Sequence, residues 1–193
     1  MKKMETRTMV LGALMTALVV LLQYMGSFVK FGPFSISLVL IPIVIGAITC
    51  GKGVGAWLGF VFALMVFATG DAAVFYVVNP AGTIITVFLK GILCGFLSGL
   101  MYELAAKSFK KKYFAAIVSA IVCPIVNTGV FLIGCKFFFI ETVTGWAIVS
   151  GFGANTGAYM IFVLVGANFL VEMLFNIVFA PALVHILKAV KKV

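Results

Sequence analysis

Two ionisable side chains stand deep inside apolar runs: Lys90 in TIITVFLKGILCG and Glu172 in FLVEMLFNIVF. A charge at that depth in hydrocarbon is costly, so it pairs, meets water or meets a bound solute. Asn168 and Asn176 lie four residues before and after Glu172. The i, i+4 spacing sets all three on one helical stripe, which must face protein or water. Asn127 follows Pro124 in CPIVNTG, where a proline inside a helix releases a backbone carbonyl for another partner. Such groups support recognition: a lysine suits a carboxylate or phosphate, and amides both donate and accept. The alternative is structural, with Lys90 paired to Glu172 and the asparagines hydrogen-bonding between helices.

Catalysis needs acid, base, nucleophile or metal ligands held together. Asp71 falls between apolar runs, Glu172 inside one, and His185, the one histidine, near the basic C-terminus. No triad or metal set assembles from these, so no enzyme activity, metal or cofactor is expected. Cys50, Cys94, Cys123 and Cys135 form no CxxC and read as small packing residues. Residues 46–53, GAITCGKG, match a phosphate loop up to its lysine, but Gly53 replaces the hydroxyl residue that would hold magnesium. If ATP drives this protein, a partner must bind it. Asn79, Phe34, Phe75, Tyr76 and Trp146 lie near linkers. The aromatics there either cap a ring-bearing solute or form an interfacial belt.

The elements that must position these groups follow from composition. Of 193 residues, 64% are hydrophobic and 10% charged, and mean hydropathy is +1.29. A soluble surface cannot be built from so few charges. Crossing the hydrocarbon core takes about 20 apolar residues, and six candidate runs are visible, near 8–27, 35–50, 54–69, 81–106, 113–138 and 157–187, the second and third of them short. The expectation is an all-α integral membrane protein: one domain over 1–193, a bundle of six transmembrane helices.

Charge orients it. The formal net charge of +9 would suit a nucleic-acid binder, but the basic residues sit at the ends of apolar runs. With the N-terminus inside, 11 of the 14 Lys and Arg fall on that side, leaving Lys30, Lys90 and Lys136. Both termini are therefore expected to be cytoplasmic. The first run is long and lacks a clear cleavage site, so it reads as a retained span and not a signal peptide. Three external linkers remain, near 30–34, 70–80 and 139–156, suited to roofing a pocket. In the first span, Gly12/Thr16 and Ala13/Ala17 are small-xxx-small pairs. They permit close approach of a partner helix or of a helix in the same bundle.

Together these stretches resemble the substrate-capture subunits (S components) of energy-coupling factor (ECF) vitamin transporters. The resemblance rests on TRTMVLGALMTALVVLL, FGPFSISLVLIPIVIGAITCGKGVGAWLGFVFAL, NPAGTIITVFLKGILCGFLSGLMYELAAK and AAIVSAIVCPIVNTGVFLIG. It is strongest for the riboflavin, folate and pantothenate branch, with CPIVNTGVFLIG most like the pantothenate carriers. The resemblance implies a multi-pass protein of the bacterial cell membrane with a vitamin pocket near the external face. Lys90, Asn127, Asn168, Glu172, Asn79, Phe34 and Trp146 are the candidate pocket residues. It further implies that Ala13 and Ala17, with Gly12 beside them, dock on a transmembrane coupling subunit carrying two ATPases. The loaded subunit would then topple to release its cargo inside. Pantothenate is the first choice of vitamin, ahead of riboflavin and folate. A stand-alone secondary transporter is the competing class, but no internal repeat of the kind such transporters carry is visible. A small membrane enzyme lacks its catalytic set.

Overall fold

The computed structural model describes residues 6–28, 30–31, 34–35, 38–109, 112–166 and 168–179. The chain opens with α1 (Thr6–Gly26) and a two-residue ladder of β1 (Lys30–Phe31) against β2 (Phe34–Ser35). Next come α2 (Leu40–Cys50), α3 (Lys52–Ala68), α4 (Ala73–Val78), α5 (Pro80–Ser108), α6 (Lys112–Phe138) and α7 (Ile140–Val149). After α7, α8 (Thr156–Tyr159) runs into a π-helix, Met160–Leu164. The final described helix, α9 (Asn168–Phe179), is bent 44° from it.

Among the described residues, α1, α5 and α6 are long and apolar enough to cross a membrane, and the bent pair adds a fourth if its two halves form one broken span. The second and third expected spans are the shorter helices α2 and α3, of 11 and 17 residues. At 1.5 Å per residue these reach about 16 and 26 Å, short of a hydrocarbon core of about 30 Å. Their shortness has local causes. Ser35, expected to begin the second span, belongs to β2, and Gly51, at φ +95°, ends α2 and starts α3 in one residue. A side chain is strained at that φ, so glycine is needed there. The linkers near 70–80 and 139–156 contain the short helices α4 and α7. The last expected span is not continuous.

The core is built around α5, which packs along α6 on one side and α3 on the other. The α3–α5 approach is set by glycine. A Cβ on Gly59 would strike the Gly91 carbonyl oxygen, and one on Gly95 would strike that of Gly55. Backbones this close depend on residues without side chains. Between α5 and α6 the tie is polar: the fully buried hydroxyls of Ser98 and Ser119 lie 2.7 Å apart, and each donates to the other residue's carbonyl. Helix α1 lies over α2 and α3 with Met15, Val19 and Gln23 buried.

Candidate functional site

Asn79 starts α5. Its Oδ1 accepts from the Gly82 N–H at 2.9 Å, and Pro80 takes the first helical position, where a missing N–H leaves nothing unsatisfied. From that start Thr83, Thr86, Val87 and Lys90 follow at helical spacing on one face and line a cavity. Opposite them stand Phe62 and Val66 of α3 and Asn127 and Phe131 of α6, while Asn168 and Glu172 of α9 add a third wall. The space between these walls is about 770 Å³ with the open solvent at the mouth included.

Lys90 is the centre of this site. Its Nζ stands 5.4 Å from the ring centroid of Phe62 and 5.6 Å from that of Phe131, so two aromatic faces stabilise the cation. Glu172 and Asp71 are its acidic neighbours. Glu172 is 3% exposed; its carboxylate accepts from Asn168 Nδ2 at 3.4 Å and its backbone carbonyl accepts from Asn176 Nδ2 at 2.8 Å. The expected stripe of three therefore exists, with its upper two members on the cavity and Asn176 directed at the helix backbone.

That stripe reaches the cavity because of the break before it. In the π-turn Val165 donates to Met160 at 3.2 Å, one residue further back than in an α-helix, and Phe169 then donates to Val165 at 2.8 Å. A Cβ on Gly166 would come within 2.8 Å of the Ile161 carbonyl oxygen. The extra residue advances the helical phase by about 100°, which sets Leu164, Val165, Asn168 and Glu172 on the cavity side.

Two residues outside the expected set close the Asp71 end. Gln23 of α1, 2% exposed, donates through Nε2 to Asp71 Oδ2 at 2.6 Å, and Thr69 Oγ1 donates to the same oxygen at 3.1 Å. Gln23 and Asp71 both line the cavity. The signal for Gln23 was present in the sequence, as a polar residue in the apolar run LVVLLQYMG. Its partner, 48 residues away, could not be read from it.

Of the expected pocket residues, the structure brings Lys90, Asn127, Asn168 and Glu172 together on the cavity. Asn79 does not line it, because its amide oxygen is used as the α5 cap. Trp146 stands behind the lining, edge-on to Phe75 at 5.7 Å, and Phe75 itself faces the cavity. Phe34 belongs to β2, but its side chain lies outside the described residues, as does His185. On α1, Ala13 and Ala17 are exposed. Gly12 and Thr16 turn toward α3, where Val54 Cγ1 would lie 3.6 Å from a Cβ on Gly12 and Trp57 Nε1 donates to Thr16 Oγ1 at 3.3 Å.

A family model for the substrate-specific component of ECF transporters matches residues 7–186. The chain belongs to this family. No curated protein and no solved structure matches it. As an ECF substrate-specific component it is a non-catalytic, substrate-binding subunit and a multi-pass membrane protein, and its family implies a vitamin-type substrate and an ECF module as partner. The phosphate-loop lysine of this S component, Lys52, pairs with Glu103 at 2.9 Å. It joins the α2–α3 joint to the far end of α5.

Proposed function

We propose that this S component captures a water-soluble vitamin, pantothenate in the first instance, on the external side of a bacterial plasma membrane. It then topples to deliver the vitamin inside. The observation that carries the reading is a cavity with a lysine and several amides among helices that are otherwise apolar. Lys90 takes the carboxylate; Asn127, Asn168 and Glu172 take the amide and hydroxyl groups. Phe34 and the first linker, with Phe75 backed by Trp146, form the roof, and Asn79 holds α5 in phase beneath it.

The six spans of this reading are α1, α2, α3, α5, α6 and the bent α8–α9 pair, with both termini cytoplasmic. Short α2 and α3 are accommodated by local thinning of the bilayer. The ion pair Lys52–Glu103 supports the sidedness, since it ties one basic flank to the end of α5 that carries Lys107. Ala13 and Ala17 offer an exposed small-residue face to a coupling subunit that carries two ATPases.

The test is mass spectrometry of small molecules released from the detergent-purified protein, followed by titration with the compound found. Pantothenate in the released fraction is the expected result. Riboflavin or folate there would replace the choice of vitamin, and a solute bound only with a co-transported ion would replace the transporter class.

A further inference from the structure

On the cavity wall, Thr86 Oγ1 and Asn127 Oδ1, on residues 3% and 5% exposed, have no hydrogen-bond partner among the described residues. They lie at different depths. Thr86 rests against Gly134 of α6, and Asn127 is seven residues before Gly134 on that helix, about 10 Å along its axis. Lys90 falls between them, over Phe131. Glu172 lines the same cavity and is an electrostatic neighbour of Lys90.

The three levels differ in chemistry. The Asn127 end offers a buried amide oxygen, which accepts a hydrogen bond. Lys90 only donates, and Thr86 can do either. Buried polar atoms left unpaired are costly, so a wall that carries them at fixed depths selects for a ligand that supplies the missing partners.

Resting on the vitamin-capture reading, we infer that the solute is elongated and bipolar. Its hydrogen-bond donors, hydroxyl or amide N–H, enter first and meet Asn127; its acceptor end lies between Lys90 and Thr86. For pantothenate this points the two hydroxyls toward Asn127 and the carboxylate toward the mouth.

The test compares pantothenate with N-(3,3-dimethylbutanoyl)-β-alanine, which keeps the carbon skeleton, amide and carboxylate but lacks both hydroxyls. Both are titrated against detergent-purified wild-type, Asn127→Val and Thr86→Val protein. The wild type is expected to prefer pantothenate by about 10- to 100-fold. Asn127→Val should remove most of that preference, and Thr86→Val should weaken both ligands alike. Equal affinity of the two ligands for the wild type overturns the inference without any variant. A preference that survives Asn127→Val overturns it too, and Asn127→Ser, which restores a hydroxyl acceptor, should recover part of the discrimination. If riboflavin binds in place of pantothenate, the choice of vitamin fails while the inference is judged by the same variant: riboflavin affinity unchanged by Asn127→Val overturns it.

Discussion

The charges in the cavity outnumber those expected from the apolar runs alone. Lys90 shares it with Glu172 and with Asp71, so the site offers one cation and two carboxylates. Replacing Lys90 by Met keeps the bulk between Phe62 and Phe131 but removes the one cation among the described lining residues. Affinity for pantothenate should fall at least about 30-fold, and unchanged affinity by calorimetry would sink direct contact. Gln23→Leu is subtler. It removes the 2.6 Å donor to Asp71 while keeping an apolar α1 surface, and a charged group that loses such a bond costs about 1.5–3 kcal/mol. The expected result is binding weakened roughly tenfold or more, with the helical content measured by circular dichroism unchanged. Lys90, Glu172 and the asparagines were legible as residues in the wrong solvent. Asp71 was not, because a carboxylate in a linker is ordinary until the fold turns it onto a cavity.

At the level of elements, the long helices were legible almost to the residue: α1, α5 and α6 follow the apolar runs near 8–27, 81–106 and 113–138. Length and hydropathy suffice where a helix is uninterrupted. They fail at α4 and α7, short helices within supposed linkers, and at the π-turn before α9, which has no periodic signature of its own. Function depends on that turn. Deleting Ile161 from the π-helix should restore an α-helical count and rotate all that follows by about 100°. Asn168 and Glu172 would leave the cavity while the protein still inserts. Loss of vitamin binding with normal membrane expression is the expected outcome, to be measured by titration of the purified variant; wild-type affinity would show that the break does not set the site.

For the whole molecule, the informative contrast lies along α1. One face, through Gln23, reaches the cavity; the other carries exposed Ala13 and Ala17. A capture subunit handed to a motor needs both. Ala13→Trp places a large ring on the exposed face without touching the cavity. It should spare binding by the isolated protein yet abolish co-purification with the coupling subunit and ATP-driven uptake in vesicles. Loss of binding in the isolated protein would instead assign Ala13 to the bundle's own packing.

By itself the sequence determined the solvent and the exceptions to it: apolar runs demand a bilayer, and Lys90 and Glu172 demand something other than lipid. Those conclusions follow from transfer free energies, which belong to residues one at a time. Only the tertiary structure decided which exceptions meet. The glycine contacts at Gly59–Gly91 and Gly55–Gly95 draw α3 against α5, and with it Phe62 under Lys90. The π-turn rotates Glu172 inward, and a turn 48 residues from Gln23 supplies its partner. Depth, phase and proximity are properties of packed helices, and no residue carries them alone.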